Sequence, residues 1–188
     1  MTKGIDLNTV ITAAAQIADH DGLENVSMKT LAQELGIRSP SLYNHINSLE
    51  ELRRRLMLFG WRELEQRLLR SAEGASGWEA FRVMCRCFYS YAVERPGVFN
   101  AMLWYNKYVS SDTMTATAEF FDYFYSFTES AGISRENSEH ILRTLRGFLE
   151  GFALLVNNGA FGHSASIDES FELSLDILIT GIKSLEGK

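Results

Sequence analysis

Apolar residues recur at intervals of three and four along almost the whole of this chain, and hardly anywhere at two. That spacing lines one side of an α-helix, whereas a half-buried strand needs alternation, so the period alone assigns the chain to the all-α class. Leu7, Val10, Ile11, Ala14, Ile17 and Ala18 form the first stripe, and Met28, Leu31, Ala32 and Leu35 the second. Start and stop signals divide the pattern into about nine helices. Asp6 is placed to cap the first, which Asp21-Gly22 ends; Ser27 caps the second, and Gly36 stops it. Ser39 is expected to cap a third, short helix reaching about His45, with Pro40 at its first position, where a missing amide hydrogen costs nothing. Ser48-Leu49-Glu50-Glu51 has the S-x-x-E spacing in which hydroxyl and carboxylate each satisfy an orphan amide. The helix it opens runs to about Ser71, and its roughly 24 residues would span about 36 Å. Ser76 and Ser166 begin the same signal again. Arg95-Pro96-Gly97 breaks the helix begun at Trp78, and further helices are expected from about Asp112 to Ser130, Ser134 to Asn158 and Ile167 to Leu185.

Twelve Phe, seven Tyr and three Trp are distributed unevenly: only Tyr43 precedes Phe59. Residues 1–50 therefore read as a small aliphatic three-helix module, and 51–188 as a larger helical body rich in large rings, joined by the long helix from Ser48. The net charge of −6 argues against a protein that coats nucleic acid indiscriminately, but leaves a small local site open. No apolar stretch approaches the length of a membrane span, and the N-terminus lacks a basic segment followed by an apolar one, so the expectation is a cytoplasmic protein. Cys85 and Cys87, two apart on a helix, point roughly 200° apart and cannot clasp one metal; buried reduced thiols are the ordinary reading, a redox-sensing thiol the other. His20, His45, His140 and His163 are scattered, and the chain has no GxSxG, no phosphate-cradling glycine loop and no HExxH. Neither an enzyme, a metal site nor a cofactor is expected.

In the first module, Gly36-Ile37-Arg38 joins the second and third helices as the short turn of a helix-turn-helix, whose second helix enters the major groove of DNA. Leu42 and Ile46 serve the core, which leaves Ser39, Pro40, Ser41, Tyr43, Asn44 and His45 as a small, polar or flat outer face. Hydroxyls at a helix start suit phosphate, Asn44 suits an adenine edge, and Arg38 is the cation placed for guanine or phosphate. The same face on a module that binds nothing would simply be solvated.

The stretch from Val10 to Leu52 resembles the N-terminal DNA-binding domain of TetR-family transcriptional regulators. The likeness is carried by Ile11-x-x-Ala14-Ala15, Asp21-Gly22-Leu23, Ser27-Met28-x-x-Leu31-Ala32-x-x-Leu35-Gly36-Ile37 and Ser41-Leu42-Tyr43-Asn44-His45-Ile46. It implies that Ser27 and Lys29 approach the DNA backbone, that Arg38, Ser39, Pro40, Ser41 and Asn44 face bases, and that Tyr43 and His45 hold phosphates. His45 has a second reading as a helix-capping residue. Where the family commonly has a phosphate-contacting lysine at the start of its fourth helix, this chain has Leu49. Arg53, Arg54 and Arg55 follow, either as compensating contacts or as solvated charges. The segment from Leu145 through Gly147-Phe148-x-x-Gly151 to Gly181-Ile182 also resembles the WHG-type C-terminal domain of some members, with Arg146 where that group usually has histidine.

Leu145, Phe148, Leu149 and Phe152, with Phe171, Leu175, Leu178 and Ile179, give the last two helices wide apolar faces suited to a four-helix bundle completed by a second copy. Purely internal packing is the alternative. Gly147 and Gly151 are spaced for close backbone approach. Between the ends lie Phe81, Phe88, Tyr89, Phe99, Met102, Trp104, Tyr105, Phe120, Phe121 and Phe124, a density of rings that suits a pocket for a small hydrophobic or aromatic effector, or else an aromatic core. The expected protein is a homodimeric repressor. It would hold two recognition helices on successive major grooves of a near-palindromic operator, and effector binding would release it by pivoting the helix from Ser48. The rival is a ligand-binding or interaction protein of the same fold that no longer binds DNA.

Overall fold

The computed structural model describes residues 5–186, the side chain of Glu119 excepted. Among these residues the chain forms α1 (Leu7–Asp21), α2 (Met28–Glu34), α3 (Ser39–Leu42), α4 (Leu49–Ser71) and α5 (Gly77–Glu94), then α6 (Pro96–Met102), α7 (Ser111–Ser130), α8 (Arg135–Asn157) and α9 (Ile167–Lys183). Short 3-10 turns at Leu23–Asn25 and Tyr105–Tyr108 complete an all-helical fold. The helix ends use the signals written in the sequence. Asp6 accepts the Thr9 amide at 2.7 Å, and Ser134 and Ser166 cap α8 and α9 in the same way. At α2 the capping box is reciprocal, with Thr30 in place of a carboxylate: Thr30 donates its amide to the Ser27 hydroxyl, and its own hydroxyl oxygen accepts from the Ser27 amide.

Two local expectations change. Arg38, not Ser39, is the N-cap of α3, because the Arg38 carbonyl is the first to accept, from the Ser41 amide at 2.8 Å; Ser39 and Pro40 occupy the first two helical positions. The helix also stops at Leu42 rather than near His45, since the His45 amide bonds to the Leu42 carbonyl at 2.8 Å and tightens the chain into a turn that delivers Ile46 to the core. At Ser48 half of the expected capping box forms: the Glu51 amide donates to the Ser48 hydroxyl, while the Glu51 carboxylate accepts from the backbone and side-chain amides of Asn47.

The chain resolves into two compact units, one formed by residues up to Glu63 with Arg95–Ala116, the other by Leu64–Glu94 with Thr117 onward. Both α4 and α7 contribute to each. In the first unit α1 packs on α2 and α6 and buries Val10, Ala14, Ala15 and Ala18, and Leu31, Leu42, Ile46, Leu52 and Leu56 are buried in the same unit. Here α1 and α6 meet backbone to backbone: a Cβ on Gly97 would fall 1.9 Å from the Ala18 carbonyl oxygen. The Asp19 carboxylate caps α6 across this contact. Its Oδ1 accepts the amides of Gly97 and Val98, both at 3.0 Å, and its Oδ2 pairs with Arg95 at 2.7 Å.

In the second unit α5 packs along α8, and α9 closes over both. Phe171 lies stacked on Tyr89, ring centroids 3.9 Å apart, with Phe148 on it at 5.5 Å. At the margin Arg86 holds Glu172 through two hydrogen bonds, at 2.7 and 2.6 Å, and Arg82 pairs with Asp176. The Asn157 side chain donates to the Ala92 carbonyl at 2.9 Å, tying the end of α8 to α5.

Candidate DNA-contacting face and ligand cavity

The nine residues expected to contact DNA fall on one continuous segment that runs from the cap of α2 through α3 into the turn beyond it. Gly36 makes the turn with φ +64°, a conformation that costs a side-chain-bearing residue energy, and the Ile37 amide closes it onto the Ala32 carbonyl. Leu42 and Ile46 are fully buried, so they anchor α3 from beneath. Lys29, Arg38, Pro40, Ser41 and Asn44 are exposed, and Tyr43 is 53% exposed despite its apolar ring. Ser39 and His45 are half-buried, as is Ser27, whose hydroxyl is already engaged as the α2 cap. The three arginines that follow Leu49 have partners inside the unit: Arg54 pairs with Asp112 at 3.1 Å, Arg55 with Glu51 at 2.7 Å, and Arg53 lies over the Trp104 ring.

Four of the ten rings and side chains expected at a ligand site come together in the second unit. Phe81 and Phe88 of α5 with Phe120 and Phe124 of α7 line a narrow cleft, partly open to solvent, with a cavity volume of about 50 Å³. Leu142, Leu145 and Leu149 of α8 form its far wall. Trp78 stands edge-on to Phe81 and to Phe127, both of which reach the cleft. The remaining six lie elsewhere. Tyr89 is taken up by Phe171, and Phe121 leans edge-on to Phe120. Phe99 and Met102 are buried in the first unit, as α6 packs on α1. Trp104 and Tyr105 sit in the same unit, edge-on to Tyr108 and Trp61. No sequence period reports that α6 belongs with α1, which is why these four could not be told apart from the cleft-lining rings.

Leu68, Met84, Tyr123, Phe127 and Leu142, which the sequence did not single out for a ligand site, add to the wall, and two further lining residues bring a thiol and a charge to the cleft. Cys85 lines it, and burial pushes its thiol up to about 12, so it is a neutral, inert group at physiological pH. Cys87 is also raised by burial. Arg146, half-buried, is the other. Among the described residues no group of three or more His, Cys, Asp or Glu could hold a metal ion, and no helix is long and apolar enough to cross a membrane.

The family described as "Tetracyclin repressor-like, C-terminal domain" matches residues 81–178, over half of the chain. The protein is a TetR-family transcriptional regulator. It is 29% identical over 184 residues to YobS of Bacillus subtilis strain 168, named as an uncharacterized HTH-type transcriptional regulator, covering 95% of this chain and 93% of that one. In structure it is similar to a TetR variant from Acinetobacter baumannii AYE in complex with minocycline, with a TM-score of 0.76, 21% identity and coverage of 98% and 100% of the two chains. It is also similar to ActR of Streptomyces coelicolor in complex with actinorhodin, with a TM-score of 0.71, 21% identity and coverage of 99% and 100%.

In this TetR-family chain the side chains expected at a dimer contact are largely spent internally. Leu145, Leu149, Phe171, Leu175 and Ile179 are buried within the second unit, and Phe148, Phe152 and Leu178 are half-buried. What α9 leaves in solvent instead is Leu173 and Ile177, 63% and 64% exposed and one turn apart. On α8, Gly147 and Gly151 meet nothing within 4 Å of where a Cβ would stand, and Leu155 follows them at the same four-residue step, exposed.

Proposed function

We propose that this regulator is a cytoplasmic homodimeric repressor that binds a near-palindromic operator and is released from it by a small hydrophobic or aromatic effector. Residues 1–50 act as the DNA-binding module, and 51–188 as the ligand-binding and dimerisation body. The observation that carries the reading is the outer face of α3 and the turns that flank it: Arg38, Pro40, Ser41, Tyr43 and Asn44 stand in solvent while the buried Leu42 and Ile46 anchor the segment from below. Arg38, Ser41 and Asn44, with Ser39 and Pro40, face bases; Ser27, Lys29, Tyr43 and His45 hold the sugar-phosphate backbone. Because Arg53, Arg54 and Arg55 have partners within the fold, these arginines do not stand in for the family's lysine at the position of Leu49, which lowers affinity and salt dependence together.

The second copy docks on the exposed stripe of α9, Leu173 and Ile177, beside Gly147, Gly151 and Leu155 of α8. The residues buried beneath, from Leu145 to Ile179, shape that face rather than cross it. The effector enters the aromatic cleft, and α4, shared by both units, carries its effect to the DNA-binding module. A full switch from 1:99 to 99:1 requires about 5.5 kcal/mol of preference for the released state. Selection of binding sites from a random duplex pool by the purified protein, followed by titration of the best site at several salt concentrations, tests the reading. A two-fold symmetric site with half-sites about one helical turn apart supports it; a folded dimer that enriches no sequence overturns it in favour of a ligand-binding protein that does not bind DNA.

A further inference from the structure

The cleft between α5, α7 and α8 is walled by phenylalanine, leucine and methionine side chains with Tyr123 and Cys85, and among the described residues a single lining residue, Arg146, carries charge. Arg146 touches the cleft, and its side chain keeps 38% of its surface exposed; an arginine so placed can lay its stem on apolar surface with its charged end toward solvent. Among the described residues its polar partner is Glu150, one turn along α8, reached through Nε at 2.7 Å. Both terminal amino groups are left unengaged by that bond, and they form the side of the fork that matches a carboxylate with two parallel hydrogen bonds.

We propose that the cleft takes an apolar or aromatic molecule bearing one carboxylate, with the rings holding its body and Arg146 reading its charge. The proposal rests on the cleft being the effector site. Glu150, 18% exposed, remains on Nε and fixes the plane of the guanidinium, while its own negative charge tempers the attraction. A neutral ligand of the same shape gains only the apolar contacts, and an amine is repelled.

Calorimetric titration of the full chain with 2-naphthoate, 2-naphthamide and 2-naphthylmethylamine, which share a ring system and differ in charge, separates these cases. The acid is expected to bind about tenfold more tightly than the amide and the amine more weakly than either. Arg146→Gln should bring the acid to the level of the amide without moving the amide. Glu150→Gln keeps an acceptor for Nε but removes the competing charge, so the acid should bind several-fold more tightly, a gain that a merely structural ion pair would not give. Equal binding of acid and amide, or equal weakening of both by Arg146→Gln, overturns the charge-reading role while leaving the effector cleft standing. Met84→Trp, or Leu142→Trp should the first not fold, fills the cleft and should abolish binding of acid and amide alike. If these variants spare binding, or if neither acid nor amide binds the wild-type chain, the cleft is not the site and both readings fall.

Discussion

Gly97 is the tightest point of the first unit, since any side chain there would drive into the backbone of Ala18 and not into a yielding side chain. Gly97→Ala is therefore expected to lower unfolding free energy by about 3 kcal/mol, at the upper end of ordinary overpacking, because neither helix backbone can retreat without uncapping α6. Urea denaturation followed by circular dichroism measures it; a loss under about 1 kcal/mol would mean that α1 and α6 are not in backbone contact. Asp19, beside it, is legible in the sequence only as one more polar residue near the end of α1. Its work as a cap for the distant helix α6 comes from tertiary placement, as the distances to the Gly97 and Val98 amides show.

At the level of elements, α3 is only four residues long and gains its stability from the two apolar anchors below it. Its outer residues should be separable from folding. Asn44→Ala is expected to weaken binding to a selected operator about tenfold, with the thermal midpoint unchanged. Lys29→Gln should reduce the slope of log affinity against log salt by about one unit, for whatever sequence is bound. Fluorescence anisotropy at three salt concentrations reads both, and an unaltered affinity in the Asn44 variant would remove α3 from the major groove. The contact of α5 with α9 makes a pH prediction. The hydrogen bonds from Arg86 hold the Glu172 carboxyl below its ordinary value near 4.5, against a smaller opposing effect of partial burial. A carboxyl depressed by folding contributes stability that is present above the unfolded value and lost as pH falls through the folded one. Glu172→Gln should accordingly cost stability at neutral pH and narrow its gap to wild type below about pH 4. Because the pair is largely exposed, the effect is small, under about 1 kcal/mol. A gap that stays constant from neutral to acid pH would show that the pair contributes nothing through charge.

For the whole molecule, the proposed contact between copies is the exposed pair Leu173 and Ile177. The double change Leu173→Glu with Ile177→Glu places two charges on the stripe without touching the core, so sedimentation velocity should show a monomer of unchanged helicity. A dimer that persists would move the contact to another face. Helix count, the amphipathic faces and most helix ends, the start and stop of α3 excepted, were legible in the chain. A period of 3.6 residues, a serine or aspartate at a helix start and a glycine after its end act through neighbours a few residues away, and those neighbours are fixed by covalent order. The proposed DNA-contacting segment draws on the same local code, since its nine residues lie within one stretch from Ser27 to His45. What tertiary structure alone decided is the partner of each apolar face. Burial of apolar surface is non-directional, so Phe99 in α6 and Phe124 in α7 look alike along the chain, yet one packs under α1 and the other lines the cleft. It also decided that Leu145, Leu149, Phe171, Leu175 and Ile179 face inward while Leu173 and Ile177 face out, and that Arg146 lines the aromatic cleft, because each of these depends on contacts between helices that the local code does not specify.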